Sequence, residues 1–374
     1  MDELTPLLQR FSVEVVEASR RVSRDAIGYC MNSVIQPIVA ALGRADARFK
    51  CYVPLPTDQY FEAMKVSASD EFELIVVLDS LVSMKSFRDL SEGNPNLSGY
   101  GEVMFAHSFS NDMWAVDLCV PVRHGPHSFL SATKIRQYFS KLVSMIAADI
   151  FHNGTVQVSY KEPYTQVKIE RQGEQYVFQL VPALYFHEAW PSCTASFGLP
   201  EKMTTWFTPE VITFCRQLGY FALPLACPFT QEESVWRLSF VRAEKYLLRH
   251  EGGLDTPQGV RKQVERILKM LRTSDTDAFR PLSSYHLRTV VLHTCQQSPD
   301  DSLWTPDKLG ERLVEALRHL IVCLEKGSMP HIFVPSCNLL AQYTQQELLA
   351  TSQSLREIHD ELCNNPTQSI RLQC

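Results

Sequence analysis

Residues 71–78 have the sequence EFELIVVL, whose β-branched content predicts a strand. Residues i and i+2 of a strand face the same side, so Glu71 and Glu73 are expected to point the same way. Two neighbouring carboxylates repel each other unless a cation lies between them, and a two-metal phosphoryl-transfer site supplies such cations. The other interpretation is a solvated strand end, to which Asp70 adds a third acid.

A pair of metal-binding acids normally needs a third acid from a neighbouring strand. Asp117, within residues 113–120 (MWAVDLCV), is the candidate that the sequence offers. His124 and His127 (HGPH) form a short pair of metal-ligating type, but the Gly-Pro between them favours a surface loop. The sequence contains no P-loop, GxSxG, Rossmann glycine fingerprint or CxxC motif.

The first half of the chain mixes helices with strands. Residues 1–43 predict one long amphipathic helix, which Pro37 should bend or end and Gly43 should stop. Ser131 is the expected N-cap of a helix that reaches Ile150. Further strands are predicted at residues 113–120, 155–160, 165–170 and 175–184, with a hairpin turn at residues 171–174.

The second half of the chain is mainly helical. The predicted fold class is therefore α+β: a mixed α/β lobe on a long N-terminal spine helix, then a helical-bundle lobe, with a cleft between them. After Trp190-Pro191 the character changes, which gives a first domain of residues 1–195 and a second of residues 196–374. The helices are predicted at residues 208–217, 234–249, 258–272, 284–297, 307–326 and 345–363.

Composition excludes several classes of protein. Of the 374 residues, 45% are hydrophobic and 21% charged, which is typical of globular domains and excludes a disordered or fibrous chain. A net charge of -6 argues against a generally basic surface for nucleic acid or lipid. The eleven scattered cysteines fit a reducing compartment. With no signal peptide and no long apolar run, we expect a cytoplasmic or nuclear protein that does not contact a membrane.

Basic residues cluster at two places, and each cluster has the charge to cover phosphates. The alternative is a solvated helix face on which charges alternate. The clusters are Arg20, Arg21 and Arg24 on the first helix, and Arg261, Lys262, Arg266, Lys269 and Arg272 on a later one.

Several segments together resemble cyclic GMP-AMP synthase and the Mab-twenty-one family. The resemblance runs in register from about residue 8 to about residue 365 and implies a nucleotidyltransferase-fold lobe with an attached helical lobe. The segments are residues 21–27 (RVSRDAI), 60–78 (YFEAMKVSASDEFELIVVL), 129–139 (FLSATKIRQYF), 176–184 (YVFQLVPAL), 189–191 (AWP), 236–248 (WRLSFVRAEKYLL), 282–310 and 329–340 (MPHIFVPSCNLL).

The resemblance implies a magnesium or manganese site at Glu71-Phe72-Glu73, which matches the acid-hydrophobe-acid motif of active members. It also implies two departures from them. Active members have a Gly-Ser pair thirteen residues earlier to hold the triphosphate, where this chain has Asp58-Gln59. Their third metal-binding acid corresponds to Gln179, and a neutral amide binds magnesium more weakly than a carboxylate. The chain thus resembles the Mab-twenty-one-like branch that keeps the pocket without catalysis.

Other positions of the resemblance imply a nucleotide pocket, because they combine cations for phosphate, a ring for base stacking and hydroxyls for hydrogen bonds. The alternative role for the same residues is to hold helices together. Zinc is not expected: His250 matches the zinc-thumb histidine of the synthase, but residues 251–260 contain no cysteine. The implied pocket residues are Arg237, Ser239, Lys269, Ser284 and Tyr285.

Three hypotheses about function follow. The first is a catalytically silent nucleotidyltransferase fold that binds a nucleoside triphosphate and acts through a protein partner. The second is an active metal-dependent nucleotidyltransferase, triggered by double-stranded nucleic acid that it would bind by shape and phosphate. The third is an interaction scaffold with an empty pocket.

Overall fold

The protein was analysed as a computed structural model that describes residues 3–12, 25–53, 71–79, 85–106, 117–121, 127–152, 154–187, 189–199, 203–251, 254–255 and 259–366. The chain divides into two compact units. The sheet unit comprises Ser19–Pro191 and Gly219–Ser239. The helical unit comprises Met1–Ala18, Ser192–Leu218 and Phe240–Cys374.

This division differs from a single boundary at residue 195 in two segments. The first 18 residues belong to the helical unit, where helix α1 (Leu4–Phe11) packs against a later helix. Residues 219–239 belong to the sheet unit, because they form two strands of its sheet. Contacts between residues far apart in the chain therefore decide which unit a segment belongs to. Composition alone predicts only a single boundary along the chain.

The sheet unit is built on a mixed sheet. Within the described residues its main path is β1-β2-β9-β10-β11-β4-β6-β5, while β3 pairs with β4 and β7 extends the sheet through β8 to β9. The pair β2–β9 is parallel, and the other pairs are antiparallel. The strands are β1 (Cys51–Tyr52), β2 (Glu71–Leu78), β3 (Lys85–Asp89), β4 (Tyr100–Ala106), β5 (Cys119–Pro121), β6 (His127–Leu130), β7 (Val156–Lys161), β8 (Tyr164–Arg171), β9 (Glu174–Phe186), β10 (Tyr220–Leu223) and β11 (Val235–Ser239).

The hairpin between β8 and β9 confirms the turn predicted at residues 171–174. Arg171 pairs with Glu174, so the loop is only two residues long. Both loop residues have a positive φ, 54° at Gln172 and 80° at Gly173. This is the geometry of the tight hairpin turns that match the twist of the flanking strands, and glycine adopts it without steric cost.

Helix α2 (Asp25–Ala45) replaces the second part of the predicted spine helix, whereas residues 13–24 lie outside the described residues. The sequence predicts that Pro37 bends or ends this helix, and in the structure the helix does not end there. A π-helical turn at Met31–Ile35 precedes the proline, and local changes of hydrogen bonding of this kind accommodate a missing backbone N–H. The helix continues to Ala45, where Asp46 is extended.

Helix α2 is long and apolar enough to cross a membrane, by length and composition only. Its mean hydropathy is 1.3. The side chains of Ile35, Ile38 and Leu42 are fully buried within the protein. A core helix of a soluble protein passes the same test of length and composition.

Helix α3 (Ala132–Ile150) begins at the predicted residue. The Ser131 side chain accepts a hydrogen bond from the backbone N–H of Lys134, which satisfies one of the free donors at the helix start. The helix contacts α2 and strands β7, β8 and β9. It therefore covers part of the sheet with the periodic apolar face that the sequence shows, from Ile135 to Ile146.

The helical unit contains helices α4 to α9 near their predicted positions, with one correction. Residues 234–249 do not form one helix: Val235–Ser239 form β11, and only Val241–Arg249 are helical. Pairing of β11 with both β10 and β4 favours the strand. The helices are α4 (Pro209–Gln217), α5 (Val241–Arg249), α6 (Val260–Ser274), α7 (Ser284–Gln297), α8 (Leu309–Lys326) and α9 (Gln345–Asn364); a short pair, β12 (His250–Glu251) and β13 (Leu254–Asp255), lies between α5 and α6. The predicted α+β class is confirmed.

Candidate functional site

A row of polar residues crosses three adjacent strands of the sheet unit. Glu73 on β2 lies opposite Gln179 on β9, and Gln179 in turn lies opposite Gln166 on β8. The Tyr164 hydroxyl donates to Glu73 Oε2 over 3.5 Å. The side chains of Phe72 and Phe178 alternate with this row and are buried on the other face, their ring centroids 5.1 Å apart. One face of these strands therefore carries a polar row that lies between the buried apolar side chains of Val177 and Val181, and the other face is core.

Glu73 and Gln179 are two positions at which the resemblance described above implies metal-binding acids in active members. Glu73 is exposed, and Gln179 is half-buried. Glu71 lies two positions before Glu73 on the same strand, with its backbone opposite Val177. Carboxylate and amide oxygens are both ligands for magnesium, but an amide contributes no charge. Among the described residues, no three His, Cys, Asp or Glu side chains lie close enough together to hold a metal ion.

Asp117 does not supply the missing acid. It lies just before β5, which is at the opposite end of the strand order from β2. Its carboxylate is 3.4 Å from the Nη1 atom of Arg48, whose Nη2 atom contacts Asp46 at 2.7 Å. Asp117 is therefore the outer member of an ion-pair group, and its assignment as a third metal ligand is wrong.

Of three other sequence candidates, two lie outside the described residues, and the third, the pair His124 and His127, lies partly outside them. Asp58 and Gln59, which replace the phosphate-holding Gly-Ser pair, lie outside the described residues. The same holds for His124 and for the basic cluster at residues 20–24. His127 is the first residue of β6.

Glu265 is the centre of a buried ion-pair network in the helical unit, and this network includes Lys269. Lys269 Nζ is 2.6 Å from Glu265 Oε1, and Lys262 Nζ is 2.5 Å from Glu265 Oε2. Arg288 on α7 donates from Nε to Glu265 Oε1 over 2.9 Å. A buried carboxylate is tolerated when cations and hydrogen bonds surround it in this way.

Glu244 on α5 extends the network to Tyr285. The Tyr285 hydroxyl donates to Glu244 Oε1 over 2.9 Å, and Arg288 Nη1 lies 3.5 Å from Glu244 Oε2. Arg288 thus bridges two carboxylates that are almost completely buried. Lys269 and Tyr285, which the sequence assigns to a nucleotide pocket, are each fixed by one of these carboxylates.

Burial and charge together set the pKa values in the network. Burial alone would raise the pKa of Glu265, but Lys262, Lys269 and Arg288 outweigh it and hold the pKa well below its usual range. Burial lowers the pKa of Lys269 to about 8, although Glu265 opposes this shift. Lys269 is therefore a cation whose charge is sensitive to mildly alkaline pH.

The basic cluster of helix α6 is not a solvated face, and it does not present a row of cations. Arg261, Lys262 and Arg266 are each at least 96% buried. Arg261 Nη2 binds Asp301 Oδ1 at 2.6 Å, and Lys262 binds Glu265. Buried cations are normally paired in this way, because the pairing offsets the cost of removing them from water. Both sequence interpretations of these three residues are corrected.

The remaining pocket candidates lie on two different units. Arg237 and Ser239 are on β11 of the sheet unit, and both are half-buried. Ser284 is the exposed first residue of α7 in the helical unit. Its neighbour Ser283 caps the helix through a reciprocal hydrogen-bond pair with His286.

Sequence analysis missed the acidic members of the network, Glu244 and Glu265. The signal available for Glu265 was its spacing to Lys262 and Lys269, which lie three and four residues away on one helix. That spacing is typical of exposed helix faces, so the pattern alone does not reveal that the group is buried.

Comparison with known families gives two matches, whose boundary falls between residues 250 and 260. Residues 60–250 match the Mab-21 protein nucleotidyltransferase domain. Residues 260–357 match the Mab-21 protein HhH/H2TH-like domain. The first match alone covers half of the chain, and this protein belongs to the Mab-21 family. The mixed sheet is accordingly that of a nucleotidyltransferase-fold lobe, and the helices from α6 onward belong to the C-terminal lobe of the family.

Proposed function

We propose that this Mab-21 protein is a catalytically silent nucleotidyltransferase fold that binds a nucleoside triphosphate and acts through a protein partner. The observation that carries the proposal is the pairing of Glu73 with Gln179 on adjacent parallel strands. Phosphoryl transfer with two metal ions depends on carboxylates that neutralise the ions and fix their positions. At this position the neighbouring strand offers a neutral amide.

Binding of a nucleotide is supported by the charges around Glu265. The network contains two carboxylates, Glu244 and Glu265, and the three cations Lys262, Lys269 and Arg288. The carboxylates are 1% exposed or less, whereas Lys269 and Arg288 keep 21% and 15% exposure. Anions from solution therefore meet the positive members of the network first, and guanidinium and ammonium groups bind phosphate by charge-assisted hydrogen bonds.

A melting scan with each ribonucleoside triphosphate, with and without magnesium, tests the proposal. A ligand at a hundred times its dissociation constant stabilises the folded state by about 2.7 kcal/mol. We expect stabilisation that does not require magnesium and that Lys269→Ala weakens by about 1–3 kcal/mol, the range for a charge-assisted contact. No stabilisation by any nucleotide contradicts nucleotide binding and favours a scaffold with an empty pocket.

A second candidate function is an active nucleotidyltransferase that requires magnesium or manganese. The sequence Glu71-Phe72-Glu73 on β2 favours it, because carboxylates are the ligands that a two-metal phosphoryl-transfer site requires. Under this hypothesis a double-stranded nucleic acid triggers the enzyme. Product that forms in the wild-type protein but not in a Glu71→Gln, Glu73→Gln variant would establish it.

The protein partner and the compartment also belong to the proposal. A silent nucleotide-binding fold affects other processes only through what it binds, so we propose a protein partner in the cytoplasm or nucleus. Affinity capture with the wild-type protein and with Lys269→Ala, each with and without nucleotide, distinguishes a partner that depends on the nucleotide from one that binds the scaffold alone.

A further inference from the structure

A cavity of about 420 Å³ lies in the helical unit and is separate from the residues assigned to nucleotide binding. It is formed by the start of α4, the end of α5 and the loop before α8. Its volume is in the range of small-molecule sites in proteins. Its lining includes Trp206, Glu210, Phe214, Tyr246, His250 and Asp301.

Aromatic rings form one continuous part of the lining. The centroids of Phe214 and Tyr246 are 4.4 Å apart, and those of Tyr246 and His250 are 5.0 Å apart. Phe214 is 43% exposed, so its ring is accessible from solvent. Aromatic faces carry partial negative charge and attract cations.

The charged side chains that line the cavity are both carboxylates. Glu210 lies in the first turn of α4, where hydrogen bonds from its own backbone N–H and from Thr208 lower its pKa. Asp301 is 44% exposed and holds the buried guanidinium of Arg261. Glu210 is therefore a negative charge that no ion pair among the described residues neutralises, and Asp301 is a partly neutralised one.

Arg261 shows that this region already binds a cation between rings. Its guanidinium lies 5.6 Å from the Trp206 ring centroid and 5.1 Å from that of Trp304, and Asp301 neutralises it. The guanidinium itself is fully buried, and its charge is paired with that of Asp301. Trp206 therefore belongs both to this internal cation site and to the lining of the cavity.

We propose that this cavity binds an organic cation of the alkylated-ammonium class, such as a quaternary ammonium group. The rings of Phe214 and Tyr246 contact the alkyl surface of the cation, and Glu210 and Asp301 supply the opposite charge. An alkylated ammonium group suits this lining better than a primary amine, because it has no N–H groups that lose hydrogen bonds to water on entering an aromatic site. The cation is either a free small molecule or a methylated lysine side chain.

Isothermal titration calorimetry of the full chain with choline tests this proposal. The matched control ligand is 3,3-dimethylbutan-1-ol, which has the same shape without the charge. The test variants are Glu210→Gln and Phe214→Leu, whose side chains are exposed and so tolerate replacement. Glu357→Gln is the control variant, because Glu357 is an exposed carboxylate on α9 that does not line the cavity. Circular dichroism verifies that each variant is folded.

We expect choline to bind and its neutral analogue to bind at least about tenfold more weakly. Glu210→Gln and Phe214→Leu should each weaken choline by about three- to thirtyfold, and Glu357→Gln should not. Equal binding of the neutral analogue, unchanged affinity in both test variants, or no heat of binding up to about 10 mM choline overturns the proposal.

A second ligand distinguishes the two sources of the cation. Trimethyl-lysine flanked by glycines carries the same head group on a peptide backbone. Tighter binding of this peptide than of choline assigns the site to a modified protein side chain. Equal or weaker binding assigns it to a free small cation, and both outcomes support the cation site itself.

Discussion

Gln179 lies directly opposite Glu73 across the parallel pair of strands β2 and β9. This relationship places an amide beside Glu73, at the position where the resemblance to active nucleotidyltransferases implies a third carboxylate. Because both residues are on the same face of the sheet, a change at Gln179 acts on Glu73 directly, whereas Phe72 and Phe178 lie on the other face.

Replacing Gln179 by Glu should make the stability of the protein depend on magnesium. Two carboxylates directly opposite each other repel, which costs about 0.2–1 kcal/mol without a divalent ion. Magnesium between them should remove this cost. Urea unfolding with and without magnesium measures the effect. Gln157→Glu is the control, since it adds a carboxylate opposite Lys168 on β8. A Gln179→Glu variant with no more magnesium response than the wild type would show that the two positions do not share an ion.

Nucleotide affinity should fall as the pH rises through about 8. Burial lowers the pKa of Lys269 to that value, so the side chain is a cation below it and neutral above it. A neutral lysine no longer attracts phosphate, so affinity is high on the acid side and lost on the alkaline side. Lys269→Arg should remove this dependence, because arginine stays charged throughout. Titrations with ATP from pH 7 to about 9.5 compare the two proteins; parallel profiles would mean that Lys269 does not contact the phosphates.

Two glycine substitutions should change stability in opposite directions. Gly173 has a φ of 80° in the β8–β9 turn, where a side chain costs about 1–2 kcal/mol although nothing lies near its Cβ. Gly28 lies within helix α2, also with open space around it, so alanine there should stabilise by about 0.5–1 kcal/mol. Urea unfolding of Gly173→Ala and Gly28→Ala measures both effects. A Gly173→Ala protein as stable as the wild type would argue against this turn geometry.

The sequence correctly predicts the elements that are specified by residues close together in the chain, such as capped helices and tight turns. Helices α3 and α7 begin at the predicted residues because Ser131 and Ser283 cap them. The two-residue turn at Gln172 and Gly173 is likewise specified by neighbouring residues. Where the backbone preference, the capping residue and the apolar period agree, the sequence suffices.

Long-range pairing and burial were beyond the sequence signals. Val235–Ser239 form a strand because β10 and β4 flank them, and β4 is far away in the chain. Glu265 is fully buried although its spacing to Lys262 and Lys269 is typical of an exposed helix face. Asp117 has the right chemistry for a metal ligand, but the strand order separates it from Glu73. The burial of Glu265 and the separation of Asp117 from Glu73 are therefore visible only in the three-dimensional structure.

A turnover assay tests the central claim of catalytic silence most directly. The wild-type protein is incubated with all four ribonucleoside triphosphates and magnesium or manganese, with and without double-stranded DNA or RNA, and products are separated by ion-exchange chromatography. We predict no nucleotide product under any of these conditions, while nucleotide binding persists in the same samples. A product that requires the metal ion and disappears in Glu73→Gln would contradict the account, because Gln179 would then suffice beside an active acid pair.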